Sequence, residues 1–141
     1  MFTPQFQELL HGYSTWYMTG LIWMVQLVHY PMFKYLDRAT FRRSHDFHSR
    51  AVSLAVMPAM LIELVSAGFI LWGHGLADRP ALAGFTLLLA IWGITFFKMV
   101  PLHSRLQTEG FQTTLHSALL RWNWSRTLSW TARGVIVAVY L

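Results

Sequence analysis

The chain has 141 residues, enough for one domain, with 55% hydrophobic and only 12% charged residues, well below the charged share of ordinary soluble domains. Its net charge of +5 comes mainly from basic residues in two short stretches between apolar runs, with no nucleic-acid-reading motif beside them, which argues against a nucleic-acid partner. The absence of cysteine excludes disulfides, thiolate-bound zinc, Cys-ligated iron–sulfur clusters and covalently attached c-type haem.

The N-terminal residues, Met1 to Glu8, carry no basic segment, so the first apolar run is expected to stay in the mature protein and not to be cleaved as a signal peptide. From Leu9 to Phe33 there is no Lys, Arg, Asp or Glu, a run longer than the about 20 residues that a spanning helix needs. From Ala51 to Ala77 the only charged residue is Glu63, and from Pro80 to Phe97 there is none, with Lys98 following. The last run, Ala118 to Leu141, holds Arg121, Arg126 and Arg133 but is uncharged from Gly134 onward. Its polar residues Asn123, Arg126, Trp130 and Arg133 recur at helical spacing and fall on one face. Trp16, Thr19, Trp23, Gln26 and Tyr30 keep the same spacing in the first run.

These runs predict an all-α fold: an integral membrane four-helix bundle, up-down-up-down, with a single transmembrane domain and spans at about 10–33, 51–73, 81–102 and 118–141. A soluble bundle would need polar outer faces, which the second and third runs lack. Seven Trp, five Tyr and ten Phe suit the two edges of a bilayer. The first connection carries Lys34, Arg38, Arg42, Arg43 and Arg50, and the third carries Arg105 with Lys98, Arg121 and Arg126 on its flanks. The second has only Arg79. By the positive-inside rule the first and third connections are cytoplasmic and both termini lie outside, which for a bacterial inner membrane is the periplasm. Gly75 with Asp78, Arg79 and Pro80 predicts a tight turn. Asp37 or Thr40 is expected to cap a helix leading into the second span.

Two charges are expected inside the membrane. Glu63 beyond Arg50, and Arg133 beyond Arg121, each lie roughly 20 Å from the basic flank at about 1.5 Å per residue. Equal depth and opposite sign predict an intramembrane pair. That pair either fixes helix register or serves as a proton relay or a substrate contact.

Five of the seven histidines, His29, His45, His48, His103 and His116, fall on the cytoplasmic side. The spacing of His45 and His48 puts two imidazoles on one helix face, and His29 and His103 are placed to close a site from neighbouring helices. The expected cofactor for this set is copper, iron or b-type haem. Lys98 and His103 are candidate proton carriers, and Asn123 and Arg126 are candidates to orient substrate oxygens.

Four stretches carry a family resemblance: Gln26-Leu-Val-His29-Tyr30-Pro31, Met57-Pro58 with Glu63, Val100-Pro101-Leu102-His103, and Arg121-Trp-Asn123-Trp-Ser-Arg126-Thr127. In these the chain resembles small four-helix bacterial membrane proteins related to the anthrone oxygenases, and more distantly the HemJ-type protoporphyrinogen oxidases. The resemblance implies oxidation of a hydrophobic, aromatic substrate within the bilayer, with His29, Asn123 and Arg126 at the site. The expected function is therefore a membrane oxidoreductase acting on a lipophilic small molecule. The alternative is a non-catalytic accessory subunit of a larger membrane complex, or a homo-oligomer. A proton or ion path along Glu63, Arg133 and Gln26 is a third reading.

Overall fold

The computed structural model describes residues 3–140 and shows four helical rods joined by short connections, with no strand among the described residues. The first rod, α1, starts at Pro4, with Thr3 as its N-cap accepting from the Phe6 amide at 3.3 Å. It runs as α-helix over Pro4–Met24, widens into a π-helical turn over Val25–His29, and ends through Tyr30–Met32 and a 3-10 turn at Phe33–Tyr35. The second, α2, is Phe41–His74. The third, α3, is Arg79–Ile94, a π-helical turn at Thr95–Met99, and Val100–Glu109. The fourth, α4, is Thr113–Tyr140.

Neighbours in sequence are neighbours in space. The α1 helix packs on α2 and α4, and α3 packs on α2 and α4, an up-down-up-down ring of the kind short connections favour. The turn between α2 and α3 is the one expected. Gly75 takes φ 82, a left-handed conformation that glycine adopts without steric cost. Asp78 caps α3 by accepting from the Ala81 amide at 3.0 Å.

The helices reach further than the apolar runs. The α2 helix begins at Phe41 behind Thr40, so Arg42, Arg43 and Arg50 lie on it and not in a loop. The α3 helix continues to Glu109 and leaves only residues 110–112 as a connection, with Gly110 at φ 83. Helices do not stop where hydropathy stops, because Arg, Lys and Gln are good helix formers.

Two of the four helices, Phe41–His74 and Arg79–Glu109, are long and apolar enough to cross a membrane. The other two carry most of the polar side chains of the interior. His11, Thr15, Thr19 and Gln26 of α1, and Asn123, Arg126 and Arg133 of α4, are all buried. Between these polar layers sit two apolar clusters. One is built on Met18, Ile22, Met60, Ile91 and Trp130, the other on Val25, Tyr30, Phe33, Met99, Leu106 and Leu119.

Candidate functional site

The two π-helical turns stand in the same relation to a proline. Val25–His29 ends two residues before Pro31, and Thr95–Met99 ends two residues before Pro101. A proline inside a helix has no N–H to give and its ring crowds the carbonyl four residues back. Widening the preceding turn relieves that crowding without breaking the helix, and such π-bulges are common at functional sites. Each bulge also re-aims the side chains that follow it. On α1 the re-aimed residue is Tyr30, and on α3 it is His103.

These two meet. The Tyr30 hydroxyl lies 2.9 Å from His103 Nε2. His103 Nδ1 lies 3.0 Å from His45 Nε2, and His45 Nδ1 lies 2.9 Å from Gln107 Oε1. His103 and Gln107, one helical turn apart, thus grip the α2 residue His45 from one face of α3. The amide oxygen of Gln107 only accepts, so His45 donates from Nδ1 and its Nε2 is a bare acceptor. His103 then donates from Nδ1, and the Tyr30 hydroxyl donates to His103 Nε2. One tautomer of each ring satisfies the whole chain of bonds. His116 braces it from α4, its Nε2 2.7 Å from the Tyr30 carbonyl oxygen.

Beside Tyr30 and His103 is a cavity of about 260 Å3 between the helices, lined also by His48, Ser49, Val52, Val56, Met57, Met99 and Arg126. Its walls are mainly apolar. Among the described residues, four buried side-chain atoms lack a hydrogen-bond partner: His48 Nε2, Ser49 Oγ, Arg126 Nε and Trp92 Nε1. The first three belong to residues that line this one cavity. Buried polar groups in proteins are almost always paired, so three orphans around one space mark it as a place for a polar partner. A wider apolar groove beside Phe69 and Trp72 has no orphan on its lining.

Arg126 is 5% exposed. Its Nη1 donates to Asn123 Oδ1 at 3.1 Å, and Asn123 Nδ2 donates to Gln26 Oε1 at 2.8 Å. Gln26 lies in the π-helical turn of α1. Asn123 therefore positions Arg126 and does not itself line the cavity. Arg126 also interacts electrostatically with the Tyr30 phenol.

The four histidines expected to share a metal do converge, but as two pairs. His29 Nδ1 lies 3.4 Å from His48 Nδ1, and His45 is bonded to His103. Both ring nitrogens of His45 and of His103 are already engaged. Among the described residues no three His, Asp or Glu side chains are grouped to hold a metal ion. The set as arranged does not present a shared site for copper, iron or haem, because both nitrogens of His45 and of His103 hold hydrogen bonds and His29 and His48 meet through their Nδ1 atoms. Lys98 is exposed on the π-helical turn of α3, its Nζ 4.9 Å over the Trp122 ring, away from the cavity lining.

Nearer the other end of the bundle, Glu63 and Arg133 form an ion pair at 2.9 Å, with side chains 0% and 1% exposed. Glu63 also accepts from Thr15 Oγ1 at 2.9 Å and from Trp130 Nε1 at 3.0 Å. Arg133 donates to Glu63 through Nε at 3.1 Å and to the Gly84 carbonyl through Nη1. Its Nη2 also lies 3.4 Å from His11 Nε2. Each nitrogen of this guanidinium has a partner, and the pair ties α2, α3 and α4 to one another.

Sequence reading missed Ser49 and Gln107. Gln107 had a signal, its helical spacing from His103. Ser49 had none. No protein-family model, curated protein or solved structure matches the chain.

Proposed function

We propose that the chain is a multi-pass membrane protein that takes a lipophilic molecule from the bilayer into the Tyr30–His48–His103–Arg126 cavity and exchanges protons with it. Such acid–base work is what an oxidoreductase acting on an oxygen-bearing lipophile requires. The observation that carries the reading is the meeting of three unpartnered buried polar atoms with a mainly apolar cavity, the usual composition of a small-molecule site. The chain Tyr30–His103–His45–Gln107 supplies the proton path. The phenol gives its proton to His103 Nε2 while His103 Nδ1–H passes to His45, and Tyr30 draws a replacement from the bound molecule.

The membrane setting is supported by where the apolar surface lies. The most apolar windows of α2 and α3 are only 22% and 11% buried inside the bundle, and Leu54, Trp72 and Phe97 are 79%, 90% and 78% exposed. Core helices of a soluble protein bury such faces, whereas a lipid solvent covers them. The basic residues of the first and third connections then face the cytoplasm, with both termini on the periplasmic side. The anthrone-oxygenase likeness points to the same class of substrate through its motif residues, of which Arg126 lines the cavity and Asn123 positions it.

A photoreactive alkyl probe with a diazirine in its tail tests the reading on protein in lipid nanodiscs. Adducts are expected on Val52, Val56 and Met99. Adducts confined to outward residues such as Leu54, Trp72 and Phe97 would overturn it.

A further inference from the structure

The two buried arginines of α4 are treated differently by the fold. Arg133 has its carboxylate, Glu63, at 2.9 Å. Arg126, 5% exposed, has no carboxylate partner among the described residues. Its contacts are the neutral Asn123 oxygen, the Tyr30 phenol and the face of the Trp130 ring 5.1 Å away, none of them an anion, and its Nε has no acceptor. A buried guanidinium without a counter-charge is costly in any low-dielectric interior and more so in a membrane.

The other two orphans complete a pattern. Ser49 Oγ is a free hydroxyl donor. His48 and His29 face each other through their Nδ1 atoms at 3.4 Å, so one of these nitrogens must be bare. An acceptor in the cavity would select the tautomer in which His29 donates to His48 Nδ1 and His48 carries its proton on Nε2, the atom without a partner. Three donors, one of them cationic, then border one cavity whose other walls are Val52, Val56 and Met99.

We infer that the cavity is a receptor for a singly charged carboxylate carried on a lipophilic body, with Arg126, Ser49 and His48 donating to the head and the apolar walls holding the tail. This inference rests on the proposed lipophile-binding role and names the chemical class of its ligand. A carboxylate only accepts, and its lone pairs match three donors. A neutral carbonyl or hydroxyl head leaves the Arg126 charge uncompensated. A phosphate monoester head brings a charge near two, and the cavity offers one guanidinium.

The test is competition binding with radiolabelled decanoate on protein in nanodiscs of uncharged lipid, at mildly alkaline pH where the carboxylate is ionised. Unlabelled decanoate should displace the label at a concentration roughly tenfold or more below that of decanol, the size-matched neutral analogue. Arg126→Gln should abolish that preference. Ser49→Ala, which removes a donor that holds no bond in the fold, should weaken decanoate several-fold and leave decanol unchanged, so the outcome does not depend on Arg126→Gln folding. Equal displacement by decanoate and decanol in the unsubstituted protein would overturn the carboxylate head, as would an unchanged decanoate affinity in both variants. Alkyl-probe adducts on Val52, Val56 and Met99 combined with equal displacement would sink the head-group inference alone. Loss of those adducts would sink the binding role beneath it.

Discussion

The Tyr30 hydroxyl and His103 Nε2 sit 2.9 Å apart although 73 residues separate them in the chain. Each is delivered by a π-helical turn that ends two residues before a proline. The Gln107 amide oxygen sets the tautomer of His45, and through it that of His103 and the direction of the Tyr30 bond.

This fixes a spectroscopic outcome. In long-range 1H–15N spectra of the neutral rings, His45 and His103 should both carry the proton on Nδ1. Gln107→Leu removes the acceptor that fixes His45, so both rings should then populate both tautomers. The variant should also lose about 1 kcal/mol of stability, the typical net worth of one such bond. A wild-type His103 protonated on Nε2 would refute the direction of the chain, because Tyr30 would then be the acceptor.

The Glu63–Arg133 pair is buried at 0% and 1% side-chain exposure and fully bonded. Breaking such a pair from one side leaves a bare buried charge and costs about 3–5 kcal/mol. Glu63→Leu and Arg133→Leu should each lower thermal stability in detergent by that order. The double variant Glu63→Leu/Arg133→Leu should be clearly more stable than either single one. Additive losses in the double variant would show that the two residues act independently.

How far the sequence foretells these features follows from what each depends on. The depth match of Glu63 and Arg133 is legible because helical rise is constant, so counting residues from Arg50 and from Arg121 suffices. The four helices are legible because apolar runs of membrane length have few alternatives, and because the polar residues of the last run keep helical spacing. The start of α2 behind Thr40 is legible from its capping residue, whereas the run of α3 on to Glu109 is not, since Arg105 and Gln107 interrupt hydropathy without interrupting hydrogen bonding. The gathering of His29, His45, His48 and His103 is legible from their common side. Their pairing is not, because it turns on the extra residue that each π-helical turn inserts before Pro31 and Pro101. That insertion rotates His103 toward Tyr30 and His45 and commits the nitrogens that a shared metal would need. Lys98 lies inside the α3 turn itself, and the same widening leaves it exposed over Trp122.

Acid should act at the second connection. The Ala81 backbone N–H, and then the His74 imidazole 2.7 Å away, hold the exposed Asp78 carboxyl below its usual value of 3.8. A carboxyl depressed in the folded state adds stability above its unfolded pKa and loses it as pH falls through the folded one. The thermal midpoint of the wild type should therefore drop on acidification past that usual value. Asp78→Asn, which keeps a capping oxygen but not the charge, should start lower and show a flatter acid limb. An identical acid limb in the two proteins would place the sensitive group elsewhere.

The orientation in the membrane can be read by chemical labelling, since the chain has no cysteine and any introduced one is unique. Tyr35, at the end of α1, is 78% exposed, Leu76, in the turn between α2 and α3, is 73% exposed, and Tyr140, at the end of α4, is 64% exposed. If the basic connections hold the cytoplasmic side, an impermeant maleimide added to intact spheroplasts should label Leu76→Cys and Tyr140→Cys and spare Tyr35→Cys until the cells are opened. Leu76 and Tyr35 lie at opposite ends of α2, so a bundle that spans the bilayer must separate them. Labelling of both from the same side would mean that α2, the most apolar of the long helices, does not cross. Its outward-facing Leu54 and Trp72 would then need a protein partner to cover them in place of lipid.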